Sequence, residues 1–582
     1  MKTSTLNRWS AWRLLTGLFI GLTLMAGCSS NSSSGSDTIA GVGTGGTGNL
    51  SGVAKVDITD ASAVNFSNVY VTVTSVAFHT DSKAAFSSYS TSKVNGWQIF
   101  RLASPITIDL AQLSNGTTYS DINGSPLFNG LNLPVGNYNQ IRLFLASTED
   151  AYLGSIPGLT YNNEVKLIGD TTEYPLRVPS PSEGIMVRPE SPIIVTSGGN
   201  ISLTLDFKLG DDVVEVTPNG SIEFILKPRL GYFDMESIGA AKGKVNFSNL
   251  STSAIEVKAE QVDSTIGYRV VRRTTAINKT TGKFSLYPLP IFGNATTANY
   301  DILLRGHNIQ TAIVKNVKIH RGSTPKTAAD LGTIIMQPDS EFTAQLNSVI
   351  HPTGSWLDFY QLISGDSVPF EVRYRHLDPY TGKFGSAIGL STGPIQVATF
   401  SPGISPVFSP DNSSQGTYSI FVDNVGLFSR GAPLLGISGS AGQNKLLDLT
   451  PQNYPQPIPG ASYGTISCVF DMALLGTGTG PGMGLGNRNI SNPLKGQVFI
   501  TNGGMIIDSI GNENGNTSIG IAMHAGGGSN NPITLSNLPS NVAGAVYGIY
   551  ALGWGSGVLV GGNTLGIDLT MGGNITTNLT LH

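Results

Sequence analysis

Apolar and polar positions alternate with a period of two along most of this chain. In NVYVTVTSVAF, Val69, Val71 and Val73 fall on one face, and Tyr70, Thr72 and Thr74 on the other. In ISLTLDFKL, Ile201, Leu203, Leu205 and Phe207 point one way, and Ser202, Thr204, Asp206 and Lys208 the other. YNQIRLFLAS and SIEFILKP repeat the pattern. Alternation of this kind, bounded by Gly, Pro and Asn, predicts half-buried antiparallel strands. A helical period is nearly absent. The expected class is all-β, as several consecutive antiparallel β-sandwich domains.

A loose internal repeat subdivides the pattern. Leu133-Pro134 precedes Tyr138 and Ile141, Leu289-Pro290 precedes Tyr300 and Ile302, and Leu538-Pro539 precedes Tyr547 and Ile549. Proline fixes a turn and donates nothing to a central ladder, so each new strand starts beyond it. The expected domains are 51–235, 236–338, 339–460 and 461–582. Within the first, VDITDAS, VYVTVTSVAFH, ITIDLAQLSNG, LPVGNYNQIRL, SLTLDFKL and FILKPRL occur in order. On those stretches it resembles the bacterial domain-of-unknown-function family 4382 of secreted lipoproteins. That resemblance implies a sandwich and a surface lipoprotein, with no catalytic residues to carry over. Residues 236–338, with TGKFSLYPLP, are similar to carboxypeptidase-regulatory or transthyretin-like sandwiches. PFEVRYRHLDPYTGKF marks two strands around a turn in the third domain. The last domain has 26 glycines and six charged residues. Its stretch VAGAVYGIYALGWGSGVLVGG has small-xxx-small spacing, yet clustered glycine disfavours a helix and β-structure is expected.

The first residues do not share the alternation. Lys2, Arg8 and Arg13 flank the short apolar run LLTGLFIGLTLMAG, as in a secretory leader spanning 1–27. Ala26 and Gly27 run directly into Cys28, one of two cysteines in the chain. The stretch resembles a bacterial lipobox, with Met25 where leucine is commonest. Cleavage is expected between Gly27 and Cys28, with Cys28 acylated by diacylglyceryl and palmitate-type chains. Ser29 in place of an aspartate favours the outer membrane. Residues 28–50 are a Ser/Gly-rich tether with an r.m.s. reach of about 25 Å. Gly41, Gly43 and Gly46 fall in this tether in a GxGxxG spacing, without the strand and helix a dinucleotide site needs.

Composition narrows the function. Loss of Lys2, Arg8 and Arg13 takes the 34 basic residues to 31, against 38 acidic ones, and no basic cluster points to nucleic acid. Only 12% of residues are charged, about half the usual share. Cys468 is the one cysteine of the mature chain, so no internal disulfide forms. His79, His307, His320, His351, His376, His524 and His582 are scattered without ligand spacing. Asp57 with Asp60, or Asp211 with Asp212, are the only calcium-type pairs that suggest themselves. The Gly389-Ser391-Gly393 match to GxSxG lacks the helix a nucleophile elbow needs, and Ser90 with Lys93 has no companion motif. Trp97, Trp356 and Trp554 are candidates for a sugar-stacking face, with burial in a core as the competing reading. The expectation is a lipid-anchored envelope protein with a structural or binding role, not an enzyme, without cofactor or metal. Its expected partners are the membrane, through Cys28, and a surface polysaccharide or envelope protein. A carbohydrate-binding or adhesion module is the alternative, and an enzyme with a dispersed site the third.

Overall fold

A computed structural model describes residues 50–60, 66–86, 93–94, 96–189, 191–217, 221–264, 267–424, 426–472, 495–511, 533–555 and 558–581. Strand accounts for 55% of the chain and helix for 4%. The all-β expectation holds.

The second sandwich shows the plan most simply. Its seven strands are Ile238–Asn246, Glu256–Asp263, Tyr268–Ala276, Lys283–Pro290, Thr297–Arg305, Ala312–His320 and Ala329–Ile335. The first lies between the fourth and seventh, antiparallel to one and parallel to the other. The facing sheet runs third, second, fifth, sixth. Leu286, Ile302, Val314 and Leu331 fill the space between them, each fully buried. Burying one such side chain stabilises by roughly 1.5–3 kcal/mol.

The same strand order recurs in the third and last sandwiches, and its central three strands recur in the first. In the last sandwich Ser462–Met472 lies between Ile533–Ser540 and Asn574–Leu581, and Lys495–Asn502 pairs with Met505–Gly511 and Val546–Gly555. In the third, Glu341–Leu346 lies between Ile388–Ser391 and Asn444–Leu447. In the first, Ser51–Asp60 lies between Phe128–Pro134 and Asn200–Phe207. The third sandwich lends Ile395–Thr399 to its neighbour, where it runs parallel to Ala312–His320 and extends that sheet. The glycine-rich stretch near 542–562 forms strands Val546–Gly555 and Val558–Asp568, paired antiparallel. No helix among the described residues is long and apolar enough to cross a membrane.

The Leu-Pro…Tyr repeat has a structural cause. Tyr300 Oη donates to the Pro290 carbonyl at 2.5 Å, Tyr547 Oη to Pro539 at 2.6 Å and Tyr138 Oη to Pro134 at 3.0 Å. In the second and last sandwiches the hydroxyl ties the start of the fifth strand to the end of the fourth; in the first it ties the short strand Gly136–Tyr138 to the end of Phe128–Pro134. Tyr418 does the same to the Ser391 carbonyl at 2.9 Å, in the sandwich whose sequence lacks the proline. Tyr418→Phe should cost about 1 kcal/mol, read as a lower urea midpoint. An unchanged midpoint would show the hydroxyl to be idle.

The four sandwiches pack into one body through polar and apolar contacts. Thr204 and Asp206, outward-facing in the alternation, are 1% exposed because the second sandwich covers them. Arg273 from that sandwich pairs with Asp206 and donates to the Asp60 carbonyl at 2.8 Å. Lys258 meets Glu371 at 3.0 Å, Lys315 meets Asp366 at 2.7 Å and Arg305 meets Glu341 at 2.6 Å, joining the second and third sandwiches. The first and last also touch: Glu183 accepts from Thr501 Oγ1 at 2.8 Å, and Tyr550 Oη donates to Glu149 at 2.6 Å. Val216 and Ile225 of the first share a small apolar cluster with Tyr380, Phe499 and Tyr550.

Candidate functional site

Gly27, Cys28, the GxGxxG glycines, Ser90, His524 and His582 lie outside the described residues, as does the Trp554 side chain. The structure places the other candidates, and most are occupied by the fold. Ser391 ends a strand, and its hydroxyl is bonded to the Asp339 carboxylate. Asp57 accepts from the Ser120 backbone at 3.1 Å, and Asp60 from Leu209 N at 3.0 Å. Asp212 accepts from Lys208 N at 2.9 Å and Arg229 N at 3.0 Å. Backbone amides thus use oxygens of Asp57, Asp60 and Asp212, while Asp60 Oδ2 has no hydrogen-bond partner. Among the described residues no group of three or more His, Cys, Asp or Glu side chains is placed to hold a metal.

Trp97 and Trp356 do not make a sugar-stacking face. Trp97 is fully buried, its indole N–H donates to the Ala85 carbonyl at 3.0 Å, and the Arg142 guanidinium sits 5.3 Å from its ring. Trp356 is 4% exposed and covered by Arg229 at 4.2 Å. Both rings are large apolar surfaces, and each is spent on packing within or between sandwiches. His376 is buried beside Tyr374 Oη at 2.8 Å. Burial, with the Lys227, Arg229 and Arg375 cations, holds its imidazole well below the usual range and therefore neutral.

Lys227 is the most unusual cation. It crosses from the first sandwich to the third, donating to the carbonyls of Leu377, Ser355 and Thr353 at 2.9, 3.3 and 3.4 Å. Burial pushes its pKa down to about 7, opposed only by Asp378. Three carbonyls on one ammonium act as a clamp between sandwiches.

An open site lies at an end of the second sandwich. The loop after Ile238–Asn246, the turn after Thr297–Arg305 and the crossover after Ala329–Ile335 enclose a cleft of about 540 Å³. Its loops are tied together: His307 N donates to the Ser253 carbonyl at 2.6 Å, and Asp339 N to Asn308 at 2.9 Å. Asn308 holds φ near 55°, a left-handed conformation that asparagine tolerates. Charge in the cleft is already matched. Asp339 accepts from Ser391 Oγ, Gly393 N and Ser340 N, and His307 lies 3.5 Å from Glu341. Burial works to raise the Glu341 carboxyl, but His307, Arg305 and Arg373 outweigh it and hold it at about 2. Apart from half-exposed His307, what faces solvent is neutral: the side chains of Asn246, Asn249 and Asn308, with half-buried Phe247. Sequence reasoning passed over all four, because they come from segments about 60 residues apart that carry no motif.

Residues 51–228 match the family described as Domain of unknown function (DUF4382). No curated protein matches the chain. Among solved structures, the Bacillus anthracis TIE protein aligns over 93% of this chain and 76% of its own, at 9% identity and a TM-score of 0.14. A leucine-rich repeat protein from Bacteroides thetaiotaomicron VPI-5482 aligns over 38% of this chain and 27% of its own, at 12% identity and a TM-score of 0.13. At those TM-scores neither likeness bears on fold or function.

Proposed function

We propose that this is a lipid-anchored cell-envelope protein with a structural or binding role, held at the outer membrane through Cys28. The observation that carries the reading is the leader LLTGLFIGLTLMAG ending on Gly27-Cys28, followed by a polar tether and then, from residue 51, the family match. Each buried methylene of an acyl chain contributes roughly 0.8 kcal/mol, and two or three chains hold durably where one does not. The tether then displays a body of interlocked sandwiches on the periplasmic or outer face. Residues 236–338 are read as a transthyretin-like or carboxypeptidase-regulatory-like sandwich. We read the role as non-enzymatic; Ser391, the serine of the GxSxG match, is buried and engaged by Asp339.

Cys28→Ser removes the thiol that is alkylated. The variant should lose incorporation of labelled palmitate and leave the leader uncut. Palmitate labelling that survives the substitution would sink the anchor.

A further inference from the structure

The cleft at the end of the second sandwich has the size of a small-molecule site and an unusual lining. We infer that it binds a neutral oligosaccharide. This rests on the envelope reading, which sets the chain among surface polysaccharides.

The lining rules out other classes in turn. An anion finds no free cation there, because His307 faces Glu341 at 3.5 Å. A cation finds no free carboxylate, because Asp339 is taken by Ser391, Gly393 and Ser340. A lipid finds too little apolar surface, since three asparagines, two serines and a threonine interrupt it. A sugar hydroxyl both donates and accepts, and so does each asparagine amide. Among the described residues the side-chain amides of Asn246, Asn249 and Asn308 make no hydrogen bond to the protein. Phe247 packs on the core of its sandwich while lining the cleft, which supplies the aromatic surface that the apolar face of a pyranose prefers. The loops are pre-set by the His307–Ser253 and Asp339–Asn308 backbone bonds, so little ordering opposes binding.

The test uses the full chain in a detergent without a sugar headgroup. Cellotriose, maltotriose, mannotriose and laminaritriose are titrated by calorimetry, with trigalacturonate as the charged control. At least one neutral trisaccharide should bind, and trigalacturonate should bind more weakly. Asn249→Ala and Asn308→Gly should each weaken that binding roughly tenfold. Glycine accepts the left-handed backbone at 308, so an unchanged melting temperature separates loss of the amide from loss of fold. The inference is overturned if no neutral trisaccharide binds, if the charged one binds best, or if both variants bind as the parent does. Palmitate labelling at Cys28 is read independently, so failure of the anchor and failure of the cleft are told apart.

Discussion

Asp206→Ala should lower stability by about 3–5 kcal/mol, the usual cost of stranding one member of a buried ion pair. Asp206 comes from the strand Asn200–Phe207 of the first sandwich and Arg273 from the third strand of the second. Both side chains are 1% exposed. With the carboxylate gone, the guanidinium keeps only the Asp60 carbonyl at 2.8 Å and the Phe233 ring, 5.7 Å away. The double variant Asp206→Leu with Arg273→Met should be much closer to the parent, because it removes both charges and fills the space with apolar atoms. The readout is the first urea transition, since a multi-sandwich chain need not unfold in one step. An Asp206→Ala midpoint equal to the parent's would show the pair to be dispensable. A double variant as unstable as the single one would show that shape, not charge, holds the interface.

The pair also shows where sequence reading stops. Val69, Val71, Leu203 and Leu205 are buried as their alternation requires, because an inward face needs only period two and a partner sheet. The opposite face is ambiguous: Asp206 and Lys227 look like residues meant for water, and both are enclosed by another sandwich. Alternation reports which side of a strand a residue occupies and says nothing about what later covers that side. The tyrosine repeat was legible wherever a proline ends the preceding strand. It was hidden at Tyr418, where Leu390-Ser391 replaces Leu-Pro and the strands lent to the second sandwich intervene. The cleft left still less trace. Its asparagines are ordinary turn residues, and only the fold brings Asn249 and Asn308 to one opening.

The same enclosed charges should make stability pH-dependent. Burial raises the carboxyls of Asp60 and Asp358 well above their ordinary values, Asp211 to about 6, Asp212 to about 7 and Glu260 to about 8. Each raised carboxyl holds its proton longer in the folded chain than in the unfolded one. Its contribution is therefore complete below about pH 4 and is lost as pH rises through the folded value. Two bases act the other way. His376, held low, and Lys227, at about 7, contribute stability above their ordinary values that is lost as pH falls. Below about pH 4 Glu341, held at about 2, adds a loss of its own. Between pH 5 and 8 five carboxyls outnumber the two bases, so the melting temperature should be highest near pH 5 and fall towards pH 8.5. Glu260 isolates the effect. It is fully buried, Oε1 has no hydrogen-bond partner, and the charge of Glu371 adds to the burial that disfavours ionisation. Glu260→Gln cannot ionise, so it should stabilise by a few kcal/mol at pH 9 and change little at pH 5. A flat profile from pH 5 to 8.5, or a glutamine variant less stable than the parent at pH 9, would show that these carboxyls are ionised and accommodated in the folded chain.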